Sequence, residues 1–399
     1  MKKLLILGGS RYIIPAIKAA HQLGVYVISC DYLPDNIGHR YSDEYHNVSI
    51  IEKEKVLELA GRLHVDGILS FATDPGVEAA AYAAEKLGLP TSPYESVHIL
   101  QNKNLFRAFL KEHGFNVPWF KSYSNIAEAI QDAETFPFPV IVKPVDSAGS
   151  KGVTRVERND ELETAIRYAL SYSHNGRFII EEFIQQQGCA SDTDCFSIND
   201  NLVFASFNCQ HFDSHAANPY TPAGFTWPSD MPKHTLAELR SELQRLIRLL
   251  HMGTSIYNVE CRLGTNGKTY LMEVSPRAGG NRLSEMLHYI CGQDLILNNV
   301  KAALGMPLDT LHDPEYSGAW AELVVHSDKT GIFQNVWIAP EIMKKNVIEK
   351  DIWVKSGDQV QAFTGANETI GTIVLQCDSH REAEQMISRP EEWIKVMVD

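Results

Sequence analysis

The chain has 399 residues, 44% hydrophobic and 22% charged, an ordinary globular composition and enough length for two or three domains at ~150 residues each. Acidic residues outnumber basic ones, 50 to 36, for a net charge of −14; with no Lys/Arg-rich run, neither nucleic acid nor an anionic membrane is an expected partner. No stretch approaches the ~18 uninterrupted apolar residues of a membrane span. The apolar start 1–8 reads as a strand rather than a signal peptide. Seven scattered cysteines without a CxxC pair are expected to be reduced thiols of a cytoplasmic protein, mostly buried.

Through residue 95, short apolar runs (4–9, 25–31, 66–71) alternate with amphipathic segments (15–23, 53–63, 77–87). This alternation predicts βαβ units and a parallel sheet. Ligands of such sheets bind beyond the C-terminal strand ends, where Gly8, Gly9, Ser10, Asp31, Thr73 and Asp74 fall. The turn GGSRYI lacks the third glycine of a dinucleotide-binding G-x-G-x-x-G, so it is read as a tight strand-to-helix turn.

A helix is expected over Ser96–His113, carrying Lys103, Arg107 and Lys111, and another over 124–132. In 136–156 a strand ending at Lys143 enters a loop with Ser147, Gly149, Ser150, Lys151 and Gly152, and leaves as a second strand. Glycines let backbone N–H groups approach phosphate oxygens; a plain flexible hairpin is the competing reading. A helix (160–170) and a strand (177–184) follow, then a strand-rich stretch (195–212), a Pro-rich loop (218–232) and a helix (235–250). Cys209, His211, Asp213 and His215 alternate as on a strand, giving one face four potential metal ligands. That ladder lacks the second ligand cluster usual for zinc, so no metal is assigned to it.

Strands 255–264 and 268–277 flank Thr265-Asn266-Gly267, a hairpin turn signal. Antiparallel pairing across this turn makes Glu260 and Glu273 near cross-strand neighbours. Two like charges so placed are destabilising unless neutralised; with Ser275 they make a hard-oxygen site suited to Mg²⁺, the alternative being two solvated glutamates. SPRAGG (275–280) then sets Arg277 at the strand end, where a guanidinium can stabilise a phosphoryl group. The last 90 or so residues read as strands with one helix near 379–389.

Taken in order, Lys103, Val142-Lys143-Pro144, the loop to Gly152, Glu181-Glu182-Phe183-Ile184, Glu260 and Glu273-Val274-Ser275-Pro276-Arg277 resemble the ATP-grasp superfamily of carboxylate–amine ligases. RAGGNRL followed by LHYICGQDLILNNVKAALG looks most like its L-amino-acid-ligase branch; a carbamoyl-phosphate-synthase-like ATP-grasp protein is the neighbouring resemblance. The resemblance implies an α/β and α+β fold: an N-terminal parallel, Rossmann-like α/β domain (1–95), an ATP-grasp domain (96–308, subdomains about 119–182 and 183–308) and a small C-terminal α+β domain (309–399).

It further implies that ATP phosphates meet Lys103 and Lys143 under the loop Ser147, Gly149, Ser150 and Gly152. Glu181 would take the adenine amine, and backbone groups of Glu182, Phe183 and Ile184 the ring edge. Glu260, Glu273 and Ser275 would hold Mg²⁺, with Mn²⁺ as a substitute. Arg277, Gly279, Gly280 and His211 would meet the substrate, with Arg277, Lys143 and Glu273 catalytic. The implied partners are a small carboxylate and an amine, an amino acid being expected, and a homodimer is common in the family. Ser275 departs from the asparagine frequent at that position, and the ribose-binding acid is left open between Asp192, Asp194 and a position filled by Ala190. A purine-pathway or bicarbonate-phosphorylating enzyme and a non-catalytic ATP-binding module are the alternatives.

Overall fold

The computed structural model describes residues 1–147, 149–216 and 218–399; Ala148 of the Gly/Ser loop and Ala217 lie outside them. The N-terminal strands Lys3–Leu7, Tyr26–Cys30 and Gly67–Ser70 form the expected parallel sheet, in the order Glu44–His46, Tyr26–Cys30, Lys3–Leu7, Gly67–Ser70. The edge strand Glu44–His46 has too little apolar character to be read from sequence. Helices Ile14–Gln22, Lys53–Leu63 and Val77–Leu87 bury Ala- and Ile-rich faces against this sheet.

The helix expected over 96–113 is two helices, Tyr94–Gln101 and Lys103–Glu112. Asn102 between them is extended (φ −106°, ψ 108°), and its side-chain amide donates to Glu78 Oε1 at 3.0 Å and to the His98 carbonyl at 2.9 Å. Short polar side chains compete in this way with the helical backbone. The break sets Lys103 at a helix start, its N–H donating to the Val145 carbonyl at 3.2 Å.

Two antiparallel sheets follow. One runs Phe120–Tyr123, Phe178–Glu182, Val140–Pro144, Thr154–Val156, under helices Ile126–Gln131 and Leu162–Leu170. The other runs Asn201–Ala205, Ser191–Ile198, Ser255–Leu263, Thr269–Ser275, against helix Lys233–Leu249. Asn266 and Gly267 turn the last two strands as their sequence requires, Gly267 at φ +75°.

A five-stranded sheet runs Cys209–Phe212, Pro222–Trp227, Ala319–Val325, Gly371–Cys377, Val347–Ile352. It joins two strands of the middle region to the C-terminal ones. Pro222–Trp227 falls inside the expected Pro-rich loop. Its proline stands at the first position of the strand, where a missing N–H costs the ladder little. A three-stranded sheet (Gln359–Val360, Gly331–Ile338, Ile394–Val398) and helix His380–Ser388 complete the C-terminal part. The expectation of uniformly reduced cysteines is corrected at one pair: Cys189 and Cys209 are joined as a disulfide, because an antiparallel bridge between Ala190 and Gln210 brings these distant segments together.

The inner face of the five-stranded sheet buries Glu322 between Phe225 and Val374, with neither carboxylate oxygen hydrogen-bonded among the described residues. Burial pushes this carboxyl well above the glutamate range; Arg282 opposes the shift, while Glu285 and Glu349 add to it. A raised folded-state pKa contributes stability below the unfolded value and loses it as pH climbs toward the folded one. Glu322→Met is therefore expected to stabilise the fold by about 1–3 kcal/mol. Thermal melts should show a larger gain near pH 9 than near pH 5.

Candidate active site

Strand alternation sends Asp192 and Asp194, Asn258 and Glu260, and Glu273 and Ser275 to one face of three adjacent strands. Register aligns them in two rows: Asp192 opposite Glu260 opposite Glu273, and Asp194 opposite Asn258 opposite Ser275. The cross-strand glutamate pair anticipated from the turn is thus present, with Asp192 extending it to three carboxylates.

Cations converge on the first row, one from another element and one from the strand of Glu260 itself. Lys103 Nζ lies 3.7 Å from Glu273 and donates to the Ser147 carbonyl at 2.8 Å. Arg262 donates to Glu260 at 2.8 Å. Burial alone would raise Glu260, but Arg262 and Lys143 outweigh it and hold the carboxyl below its usual range. Asp192 has no such cation in contact: burial and Glu260 push it up to about 7, against the amide of Asn258, 2.7 Å away. Asp194, fully buried, rises to about 6 despite the Ser284 hydroxyl and the Gly279 N–H, which donates at 2.8 Å.

Arg277 links the second row to the end of the N-terminal sheet. Its Nε and Nη2 chelate Asp74 at 2.8 and 2.6 Å, and its Nη1 donates to Asn258 Oδ1 at 3.0 Å. Ser275, expected beside the glutamates as a metal ligand, stands in the second row: it accepts from Gln101 at 2.8 Å and donates to Asp74 at 2.9 Å. The amide that sequence reasoning sought there stands one strand away, as Asn258. Its spacing two residues before Glu260 was the available signal.

Glu181, expected on an adenine amine, is instead buried between two cations. Lys143 Nζ is 2.6 Å from Oε2 and Arg107 Nε 2.8 Å from Oε1. The Arg107 contact is a charge approach and not an aligned hydrogen bond, since none of its nitrogens has a partner among the described residues. Burial raises Glu181, yet Arg107 and then Lys143 outweigh it and bring the carboxyl down to about 2. Arg107 was visible in sequence only as one basic residue on a helix. Glu182 accepts from the Trp119 N–H at 3.2 Å; Arg155 lies over the Phe183 ring at 4.1 Å, and Ile184 is buried.

In the phosphate-loop candidate, Gly149, Ser150 and Gly152 all adopt left-handed backbone, and Ser150 donates to the Tyr220 carbonyl at 3.0 Å. Gly279 and Gly280 differ. A Cβ at Gly279 would lie 2.8 Å from Asn258 Nδ2 and 2.9 Å from Asp194 Oδ1, whereas one at Gly280 meets open space. The Gly279 N–H is already used by Asp194, so the backbone donor expected there for substrate is taken. His211 stands apart from this face. It points to the far side of its strand, toward Glu384, while its neighbour Gln210 reaches Asp192 at 3.2 Å; strand alternation makes Gln210 the wall residue that sequence reasoning missed.

A family model described as an ATP-grasp domain matches residues 136–285. That span holds the Gly/Ser loop, Glu181, both glutamates and Arg277. The middle of the chain is thus similar to an ATP-grasp domain. Beyond it, the chain is 26% identical over 343 residues to formate-dependent phosphoribosylglycinamide formyltransferase of Bacteroides thetaiotaomicron, covering 80% of this chain and 86% of the relative. It is 26% identical over 270 residues to carbamoyl phosphate synthase large chain of Pseudothermotoga lettingae, covering 66% of this chain but spanning only 24% of that relative's length. L-amino acid ligase from Bacillus licheniformis superposes with a TM-score of 0.83 at 20% identity, over 100% of this chain and 99% of the other. The fold is therefore that of ATP-grasp proteins, with parallel and antiparallel sheets combined.

Removing one cation from the ATP-grasp core leaves Glu181 half paired. Arg107→Met is expected to cost about 3–5 kcal/mol in urea unfolding, with Arg107→Met/Glu181→Gln recovering part of the loss. Glu181 has a depressed folded-state pKa, so its contribution is full above the unfolded value and lost as pH falls toward about 2. Glu181→Gln should accordingly flatten the acid limb of the stability profile.

Proposed function

We propose that the protein is an ATP-dependent carboxylate–amine ligase that makes an amide through an acyl phosphate, with an amino acid among its substrates. The observation carrying this reading is the direct pairing of Glu260 with Glu273 beneath Lys103, with Arg277 on the same face. Opposed carboxylates, each flanked by a cation (Arg262 and Lys103), suit a hard divalent ion shared between them. Glu260 and Glu273 would hold Mg²⁺ (or Mn²⁺), which when bound supplies charge neutralisation for phosphoryl transfer.

In this reading Lys103 and Lys143 meet the phosphates of ATP, and the loop with Ser147, Gly149, Ser150 and Gly152 covers them. Releasing Lys143 to a phosphate leaves Glu181 to Arg107, which keeps the buried carboxylate paired. Glu182, Phe183 and Ile184 line the adenine with backbone groups. A carboxylate oxygen attacks the γ-phosphorus as the bond to ADP breaks; the amine nitrogen then attacks the acyl carbon, and phosphate leaves. Arg277, fixed by Asp74, is set to offset charge on the acyl phosphate and the tetrahedral species after it, and Gly280 leaves space for substrate. Catalysis rests on position and electrostatics without a covalent enzyme intermediate. A homodimer and the domain limits 1–95, 96–308 and 309–399 belong to the same proposal.

Phosphate release from ATP across amino acids, amines and bicarbonate tests it: stimulation needs a carboxylate and an amine together. Bicarbonate as sole activator would replace the amino-acid reading, and no stimulation would leave an ATP-binding module. Glu273→Gln, which removes one metal-directed charge, is expected to lower turnover about 100-fold or more in the same assay.

A further inference from the structure

The outer face of the five-stranded sheet carries a polar cluster that the ATP site does not use. Cys209 and His211 point there together, two apart on one strand, while Gln210 between them points to Asp192. Helix His380–Ser388 lies over this face, and its residues 380 and 384, one turn apart, share the side turned to the strand. Cys209 Sγ, a ring nitrogen of His380 and a carboxylate oxygen of Glu384 all lie within 4.8 Å of one another. Glu384 Oε1 is 3.2 Å from His211 Nε2 and 3.7 Å from His380 Nε2. Both ring nitrogens of His380 are shielded from solvent, and neither has a hydrogen-bond partner among the described residues. Among the described residues no lysine or arginine pairs with Glu384. The strand ladder thus acquires, from the C-terminal helix, the second ligand cluster that the sequence alone did not disclose.

We propose that Cys209, His211, His380 and Glu384 form a zinc site when Cys209 is a thiol. One thiolate, two imidazoles and a carboxylate are a borderline-soft set, matched to tetrahedral Zn²⁺ and unlike the all-oxygen glutamate pair of the ATP site. Zinc ligands stand ~3–4 Å apart around a metal at ~2.0–2.3 Å; Cys209, His380 and Glu384 already lie within 4.8 Å of one another, and His211, in contact with Glu384, would turn toward them to complete the set. The Thr226 hydroxyl donates to Glu384 and lies 3.0 Å from His211 Nε2, a contact to that nitrogen which the metal would replace.

The Cys189–Cys209 disulfide and the metal compete for the same sulfur. A dithiol reductant supplies two electrons and two protons to open the disulfide and is itself oxidised to a disulfide; Zn²⁺ then displaces the proton of the Cys209 thiol. Zinc would tie the strand bearing Gln210 to the C-terminal helix on the side away from Asp192. This site stands independently of the ligase reading.

The test uses the full chain, reduced and stripped of metal, titrated with Co²⁺ alone and then with Zn²⁺, without nucleotide. The expected result is one tetrahedral Co²⁺ per chain with a sulfur-to-cobalt charge-transfer band, displaced by Zn²⁺. Cys209→Ser should abolish the band. His380→Ala and Glu384→Ala should each weaken binding about tenfold or more. Cys189→Ser should keep the band and remove the need for reductant. His380 starts its helix and is partly exposed, so His380→Ala is expected to melt as the parent does. Unchanged affinity in His380→Ala overturns the proposal. So does loss of the band in Cys189→Ser, which would put the metal on Cys189, Cys209 and Asp230, or loss of the metal in Glu260→Gln, which would put it at the ATP site.

Discussion

Asp192, Glu260 and Glu273 stand side by side across three hydrogen-bonded strands, and a row of like charges in a sheet is unfavourable until something of opposite sign reaches it. Much of the molecule is arranged to supply that charge. Lys103 comes from a helix start created by the break at Asn102, and Lys143 from the end of a strand in another sheet. Arg262 comes from the strand of Glu260 itself. The net charge of −14 excludes a basic surface and leaves room for a local one. Within the core the basic groups are concentrated where the acids are.

Arg277 extends the same logic to architecture. Its bidentate pairing with Asp74 ties the C-terminal edge of the parallel sheet to the end of the glutamate hairpin; Ser275 donates to the same carboxylate and accepts in turn from Gln101. Burial would raise Asp74, but Arg277 outweighs it and keeps the carboxyl below the usual range. An arginine set by such a fork has little freedom to turn away, which is the preorganisation an anionic intermediate requires. The N-terminal sheet therefore reaches the site through Asp74, which pairs with Arg277 and accepts from Ser275.

Glu181 and His211 show where reading the chain stops short. Glu181 is in the strand position anticipated for it, but its partners come from a helix 74 residues earlier and from the neighbouring strand. No periodicity reports such a pairing. His211 and Gln210 differ by one residue, and only the sheet's packing says which faces Asp192 and which faces the helix. That Asn258 stands directly opposite Ser275 likewise follows only once the register is known.

Local chemistry determined the βαβ start, the Thr-Asn-Gly hairpin with its opposed glutamates, the left-handed Gly/Ser loop and the order of motifs along the chain. These depend on nearby residues: turn propensity, alternation and the conformational freedom of glycine. Tertiary structure decided what depends on contacts between distant segments. It joined strands 209–227 to the C-terminal sheet, buried Glu322 without a partner, paired Cys189 with Cys209, and set His380 and Glu384 over Cys209 and His211. Burial and long-range approach fix charge state and ligand geometry, and neither is encoded in spacing along the chain.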